Sequence, residues 1–310
     1  MFTLAHLSDP HLGSLPVPTP AQLLGKRVFG YMSWRLRRQA IHDGPVLPAL
    51  IADLRNAGAD HVAVTGDITN ISLPAEFERA EAWLRDLGDP SAVTVVPGNH
   101  DAYVDVPWNL SVGRWAPFMS GGVEGDGDGA AETPVASAGD FPFVRRRGPV
   151  ALVGVSTAEP RSVVSAAGRV GPGQLAALER RLTELGRQNA FRVVLIHHPP
   201  LPGRAPRRKQ LTDGAAFRAA IARAGAELVL HGHTHRSGLA KLPTPRGHAP
   251  VIGVPSASAR PYPGKMHARY HLYRIAAAAG GWCVQVEVRG VEPTLDRFST
   301  EARFSLSIDG

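Results

Sequence analysis

Short runs of β-branched and other apolar residues alternate with longer stretches of helical periodicity along the first half of the chain. The runs that predict strands include residues 2–7, 61–65, 92–96, 151–155, 192–196 and 228–231. Apolar residues recur at helical spacing in Val46–Asn56, Ala75–Leu87, Gly173–Gln188 and Ala215–Ala224. This alternation predicts an α/β fold, and further strand-like runs after residue 250 favour two stacked sheets with helices outside.

Residues 21–39 are predicted to form an inserted helix. Its apolar positions share one face with Phe29 beside them, and they are Leu24, Val28, Met32 and Leu36. One interpretation is a surface helix packed on the core through that face. The other is a basic amphipathic helix that lies on anionic lipid or caps the active site, although Arg35 among the apolar positions argues against the membrane version.

Two other segments interrupt the pattern. Glycine and acidic residues dominate 121–129, so a flexible loop is expected over about 120–134; the spacing does not fit a calcium-binding loop. The C-terminal tail, residues 293–310, carries alternating apolar residues that could add an edge strand or a dimer contact. The remainder, residues 1–292, is expected to form a single domain.

The charge balance is strongly basic. The chain has 34 Lys+Arg against 27 Asp+Glu, which gives a net charge of +7 and suits either an anionic partner or a solvated basic surface. The clusters at residues 145–147 and 207–209 are expected to be solvated, and the second is also a candidate substrate contact. Cys283 is the single cysteine, so no internal disulfide is possible. With no export signal at the N-terminus, a cytoplasmic location is expected, peripheral to the inner face of the membrane if the inserted helix binds lipid.

Five short segments place oxygen or nitrogen ligands directly after predicted strands. They are Asp9-Pro10-His11, Gly66-Asp67, Gly98-Asn99-His100-Asp101, His197-His198-Pro199-Pro200 and Gly232-His233-Thr234-His235. The carboxyl ends of strands in an open α/β sheet face one crevice, so all five can converge there. Each segment alone is weak, but the five in this order indicate a metal site.

With these motifs in order, the sequence resembles the calcineurin-like metallophosphoesterases over roughly residues 3–240. The resemblance implies a four-layer sandwich in which helices flank two central mixed β-sheets, with a binuclear metal centre. It assigns one metal to Asp9, His11, Asp67 and His235. It assigns the other to Asp67, Asn99, His197 and His233, so that Asp67 bridges the two ions.

The resemblance also implies that His100 stabilises the transition state or protonates the departing oxygen, while a metal-bridging hydroxide attacks phosphorus. Asp101 is expected to pair with the His100 imidazolium and raise its pKa. His198 and Asn70 are candidate substrate-binding or supporting residues, and a helix cap is the alternative for Asn70. The mixed Asp, Asn and His ligands suit Mn²⁺, Fe, Zn²⁺ or Co²⁺, and the sequence does not choose among them.

Hydrolysis of a small anionic phosphodiester is the leading functional prediction, with a cyclic nucleotide or a glycerophosphodiester as substrate by analogy. Two alternatives stay open: a lipid-linked pyrophosphate or phospholipid hydrolase at the membrane surface, and a DNA or RNA nuclease. Nucleic acid is the less favoured partner, because no additional DNA-facing domain is evident. A scaffold that has lost catalysis is disfavoured because every motif residue is present.

Overall fold

The computed structural model describes residues 1–42, 44–121 and 132–309. Most of the expected flexible loop, residues 122–131, therefore lies outside the described part of the chain. The strands are β1 Phe2–Leu7, β2 His61–Val64, β3 Val93–Val95, β4 Ser120–Gly121, β5 Thr133–Pro134, β6 Phe143–Arg147, β7 Val150–Gly154, β8 Phe191–Leu195, β9 Leu228–His231, β10 Gly238–Thr244, β11 Gly247–Gly253, β12 Arg269–Ala278, β13 Gly281–Val291 and β14 Phe298–Asp309. The α-helices are α1 Lys26–Ser33, α2 Gln39–His42, α3 Val46–Ala57, α4 Pro74–Leu87, α5 Pro172–Arg187 and α6 Gly214–Ala224.

Twelve of these strands form two six-stranded mixed sheets. The first has the order β14-β13-β12-β1-β2-β3, and the second has the order β10-β11-β9-β8-β7-β6. Strands β1, β2 and β3 run parallel, as do β7, β8, β9 and β11, whereas the remaining pairs are antiparallel. The tail supplies β14, which pairs with β13 at the edge of the first sheet.

Alternation of side chains along the strands explains the layers. In β8, Phe191, Val193 and Leu195 face a core shared with the first sheet, while Val194 points to a second core beneath α5 and α6. The apolar residues of α3 and α4 belong to the same core as the first sheet, so these helices pack on that sheet. These layers confirm the predicted sandwich of two central mixed sheets flanked by helices.

The inserted segment forms several short pieces. A 3₁₀ turn at Ala21–Leu23 is followed by α1, a π-helical turn at Trp34–Arg38 and α2. The residues of this segment that turn inward are spaced four apart, namely Gly30, Trp34, Arg38 and His42. A Cβ on Gly30 would lie 2.6 Å from Ile71, so glycine permits the close approach.

The predicted apolar face of this segment does not pack on the core. Leu24 and Leu36 are each 77% exposed, and Phe29 and Met32 are also exposed. The expectation of a core-facing apolar stripe was therefore wrong. The physical reason is that Trp34 packs with Leu15, Ile71 and Leu73 and uses the opposite side of the segment. Among the described residues, no helix is long and apolar enough to cross a membrane.

The basic cluster 145–147 also departs from expectation, because the Arg145 side chain is fully buried. Its guanidinium donates to the carbonyl oxygens of Pro90 at 2.9 Å and Val93 at 2.6 Å, and to that of Pro117 at 3.1 Å. An ion pair with Glu132, at 2.9 Å, supplies the compensating charge. A buried arginine is tolerated only with such partners, so Arg145 is a structural residue that ties loops to β3.

Candidate metal centre

The five motif segments converge at the carboxyl ends of β1, β2, β3, β8 and β9. Several of their residues adopt left-handed backbone conformations that β-strands do not use. Positive φ angles occur at Asp9 (52°), His11 (36°), Asp67 (56°), His233 (66°) and His235 (53°). Non-glycine residues rarely adopt this conformation, and such strain concentrates at functional sites. The sharp turns aim these side chains into the crevice between the two sheets.

The first group of candidate ligands surrounds one point in the crevice. Asp9, His11 and Asp67 each offer an atom within 4.8 Å of the others. His235 joins them, with its Nε2 atom 3.2 Å from Asp9 Oδ1 and 3.2 Å from His11 Nε2. The structure thus brings together all four residues expected at the first metal.

A second group lies beside it and shares Asp67. His197 Nε2 is 3.3 Å from Asp67 Oδ2, 3.2 Å from Asn99 Oδ1 and 3.2 Å from His233 Nδ1. Ligand atoms bound about 2.1 Å from one ion are separated by about 3.0–3.4 Å in octahedral or tetrahedral geometry. The observed separations match that spacing. The residues predicted to hold the second metal are therefore also together, with Asp67 between the two groups.

An unsatisfied atom supports the fit to metal. Asp9 Oδ1 is buried without a hydrogen-bond partner, and such atoms are costly in protein interiors. The other carboxylate oxygen, Oδ2, accepts from the backbone N–H of His233 at 2.9 Å. A cation at the first group would satisfy Oδ1. The residues present therefore fit two divalent ions bound by oxygen and nitrogen.

Hydrogen bonds on the far side of each ring prepare the histidines for ligation. His197 Nδ1 lies 2.6 Å from the Thr65 carbonyl oxygen, and His233 Nε2 lies 2.9 Å from that of Lys209. Each of these nitrogens donates its proton, since a carbonyl can only accept. The opposite nitrogen, which faces the second group, is left with a free lone pair, as metal-binding histidines require.

Glycine is required beside two of the ligands. A Cβ on Gly232 would lie 2.4 Å from Asp9 Oδ2 and 1.8 Å from Ser8 Oγ, and a Cβ on Gly98 would lie 2.3 Å from Asp67 Oδ1. No side chain fits at either position unless the aspartate moves.

The electrostatics of the second group favour a positive charge beside Asp67. Burial alone would raise the pKa of Asp67, but the neighbouring His197 and His100 hold that pKa well below its usual range. Burial alone would lower the pKa of His197, but the Asp67 carboxylate outweighs burial and raises that pKa to about 9. Asp67 and His197 together therefore favour a positive charge between them, which a divalent cation would supply.

His100 and Asp101 do not form the expected pair. Asp101 instead accepts from the backbone N–H groups of Asp67, Thr69 and Gly98 at 2.8, 2.9 and 2.9 Å. His100 Nδ1 donates to the Asn70 carbonyl oxygen at 2.6 Å. Burial, with the Arg38 charge, lowers the pKa of His100 to about 3. The expectation that Asp101 raises this pKa was therefore wrong, because its carboxylate is used to join two motif loops.

Asn70 and His198 occupy supporting positions. Asn70 is buried, its side-chain N–H donates to the Leu12 carbonyl at 2.9 Å, and its own carbonyl orients His100. The N-cap of α4 is Leu73, so Asn70 is not a helix cap. His198 is buried, with Nδ1 2.7 Å from Thr157 Oγ1 and Nε2 3.1 Å from the Ala166 carbonyl. Both ring nitrogens are used within the protein, which leaves neither free to face a substrate.

Three residues at the centre were not predicted individually as site residues, although Lys209 belongs to the cluster 207–209. Arg38 Nη2 lies 2.7 Å from His11 Nδ1. His42 is buried, and its ring offers an atom within 4.8 Å of ligand atoms of His11 and His235. Lys209 lines the same cavity. The spacing of four between Arg38 and His42 is the signal that could have placed both on one helical face.

The centre opens into a cavity of about 650 Å³. Besides the ligands, its walls carry four cationic side chains, which are Arg38, Lys209, Arg236 and Lys265. Asp67 is the one carboxylate among the lining residues of this cavity in the described part of the chain. An opening with this charge attracts anions.

The family model of calcineurin-like phosphoesterases matches residues 2–237. The chain belongs to this family. A probable cyclic nucleotide phosphodiesterase from a Synechococcus strain is 26% identical over 219 residues, which cover 69% of this chain and 71% of the relative. The two ligand groups agree with membership, and the chain is a metal-dependent phosphoester hydrolase.

Solved structures with the same fold support this assignment of architecture. A dimetal phosphatase from Danio rerio superposes with a TM-score of 0.63 at 15% identity and covers 96% of this chain and 98% of its own. The purple acid phosphatase PPD1 from yellow lupin superposes with a TM-score of 0.59 at 12% identity, covering 99% of this chain. This chain spans 54% of the lupin enzyme.

Proposed function

We propose that this chain hydrolyses a small phosphodiester, either a cyclic nucleotide or a glycerophosphodiester. The observation that carries the proposal is the pair of ligand groups that share Asp67. The similarity to a probable cyclic nucleotide phosphodiesterase supports this choice of substrate. Two divalent ions bound at such a centre activate water and neutralise charge on the phosphoryl group.

The chain's own residues would position and protonate the substrate. His100 lines the cavity beside Asn99, and its backbone N–H donates to Asp67 Oδ1 at 2.6 Å. Its Nδ1 proton is committed to Asn70, so a proton for the leaving oxygen must come from Nε2. That requires the imidazolium form, which an anionic phosphoryl group bound beside the ring would favour.

The test is an assay with bis-p-nitrophenyl phosphate and p-nitrophenyl phosphate on protein loaded with Mn²⁺, Fe²⁺, Zn²⁺ or Co²⁺. We expect faster turnover of the diester, a rate that disappears with chelator, and a loss of at least about 10³-fold in Asp67→Ala. His248→Ala is the control, because His248 is an exposed histidine outside the centre. Chelator-insensitive rates, equal for the two substrates, would overturn the proposal.

The exposed side of the inserted segment favours a second candidate, a lipid-linked pyrophosphate or phospholipid hydrolase at the inner face of the membrane. Phe29, Met32 and Leu36 are exposed apolar side chains, and the exposed Arg37 lies next to Leu36. This composition suits an anionic lipid surface.

Flotation with vesicles of phosphatidylglycerol or of phosphatidylcholine tests the membrane candidate. We expect the protein to float with the anionic vesicles, and the triple variant Leu24→Ser, Met32→Ser, Leu36→Ser to remain unbound. Val17→Ser is the control, since Val17 is 91% exposed but lies outside the segment. Equal partitioning of wild type and triple variant would exclude this candidate.

A further inference from the structure

Arg38 faces two histidine nitrogens that cannot accept its protons when the centre is ready for metal. Its Nη2 atom is 2.7 Å from His11 Nδ1, and its Nη1 atom is 3.4 Å from His100 Nδ1. Both nitrogens already lie near carbonyl oxygens, at 3.2 Å from Thr69 and 2.6 Å from Asn70. In the tautomers that leave Nε2 free for ligation or catalysis, both nitrogens are donors. The Arg38 guanidinium therefore needs another acceptor.

The protein does not supply a carboxylate for this purpose. Within the described ranges, neither Arg38 nor Lys209 forms an ion pair with an acidic side chain. Lys209 is held in place through its backbone carbonyl, which accepts from His233, and the residue lines the cavity. Arg38 lines the same cavity as Lys209. Two cationic side chains that line one cavity without a direct ion-pair partner favour an anion between them.

A second cavity of about 270 Å³ adjoins the first, and these two residues line it as well. Arg38 and Lys209 line both cavities, as do Asn99 and His100. Its other charged lining residues are Lys26, Glu159, Arg161 and Arg208, and Glu159 pairs with Arg161. Phe29 and Val163 form apolar walls. A substrate whose reacting phosphoryl group lies at the metals would thus extend into a basic channel.

We propose that Arg38 and Lys209 form an anion subsite that binds a second negatively charged phosphoryl group of the substrate, next to the one that reacts. This inference rests on the proposed phosphoesterase function and sharpens its substrate class. Within that function it disfavours cyclic nucleotides, which carry a single charge, and favours glycerophosphodiesters that carry a further phosphate. It also suits the phosphoric anhydride of the second candidate. The inserted segment then belongs to the active site, since it contributes Arg38.

The experiment compares binding of two non-hydrolysable probes, methylphosphonate and methylenediphosphonate, by calorimetry on the metal-loaded protein. Wild type is expected to bind the diphosphonate at least about tenfold more tightly. Arg38→Gln and Lys209→Gln are each expected to reduce that preference about tenfold and to change methylphosphonate affinity less than about threefold. Arg37→Gln is the matched control, because Arg37 is the exposed neighbour and lines neither cavity.

Metal content is measured for every variant and is expected to equal that of wild type, which would show that the ligands are intact. Arg38→Lys should recover part of the preference for the diphosphonate. Any chelation of metal by the diphosphonate is the same for Arg37→Gln and cancels in the comparison. A preference that survives both Arg38→Gln and Lys209→Gln, or that falls equally in Arg37→Gln, overturns the subsite. Binding is measured without turnover, so this failure is distinct from failure of the proposed function, which the assay with chelator decides.

Discussion

The Nε2 atoms of His11 and His235 lie 3.2 Å apart, although the two residues are separated by 224 positions in the chain. Two neutral imidazoles that direct lone pairs at each other repel unless a proton or a cation lies between them. Asp9 Oδ1, 3.2 Å from His235, adds a negative charge at the same point. The folded chain is therefore preorganised for a cation there, and metal binding should stabilise the fold.

Removing metal should lower the melting temperature. Binding at a concentration about 1,000 times the dissociation constant contributes about 4 kcal/mol, which corresponds to about 6 °C for a chain of this size. We expect chelator to cause a decrease of that order in differential scanning fluorimetry and to have a smaller effect on His235→Ala. An identical response of His235→Ala and wild type would contradict a metal ligated by His235.

Gly232→Ala should disrupt the centre without a change of charge. The added methyl group would lie 2.4 Å from Asp9 Oδ2, so Asp9 must move away from its position at the first metal. We expect loss of about one metal equivalent by elemental analysis and at least about a 10²-fold loss of activity. Gly173→Ala is the control, because no atom lies within 4 Å of a Cβ at that glycine. Retention of both metals in Gly232→Ala would contradict this geometry.

Acid should destabilise the protein through its buried histidines. Burial lowers the pKa of His271 to about 4, and burial also holds the pKa of His6 well below its usual range. These residues are neutral in the folded state but take up protons below about pH 6.5 once unfolded. Keeping these imidazoles unprotonated in the folded state costs no free energy above that pH. Below it the unfolded chain binds more protons, so the free energy of unfolding should fall as the pH decreases from about 6.5 to 4.

His271 alone should account for about 3 kcal/mol of that decrease at pH 4. Urea titrations at pH 7.5, 6, 5 and 4 measure it, with His271→Leu expected to show a shallower pH dependence than wild type. The exposed His248→Leu should follow wild type. Parallel pH profiles for His271→Leu and wild type would show that His271 does not contribute.

The buried Arg145 gives a test of fold stability that is independent of the metals. Arg145→Met would leave the carbonyl oxygens of Pro90, Val93 and Pro117 without their donor and Glu132 without its partner. We expect a loss of about 3–5 kcal/mol in the free energy of unfolding. The control is Arg146→Met, at the neighbouring, less buried position. Equal effects of the two changes would contradict a special role for Arg145.

Much of the centre was predictable because each ligand lies directly after a strand and a strand end has a fixed place in an α/β sheet. The roles of Asp101 and Arg145 could not be predicted from the sequence. A carboxylate next to a histidine in sequence suggests a pair, but in the fold Asp101 faces the backbone amides of a neighbouring loop. Arg145 lies in a run of three arginines, and only the packing of β6 against β3 and its loops shows that its side chain is inside.

The orientation of the inserted segment could not be read from its periodicity. Hydrophobic spacing shows that Leu24, Met32 and Leu36 share a face, but it does not show whether that face is covered. Tertiary contacts determine which side of the segment is buried, because Gly30 and Trp34 pack closely against Ile71. The four-residue spacing that reaches Arg38 was present in the sequence, yet without the fold nothing connected it to the metal ligands.

The π-helical turn at Trp34–Arg38 constrains how this segment can vary in length. Such a turn contains one residue more than the corresponding α-helical turn, and one residue rotates a helix by about 100°. Removing one residue there would leave an ordinary α-helical turn with Arg38 and His42 still directed at the crevice, whereas removing a second residue would rotate both side chains away from it. The number of residues in a surface segment is thereby limited by the position of two side chains at the metal centre.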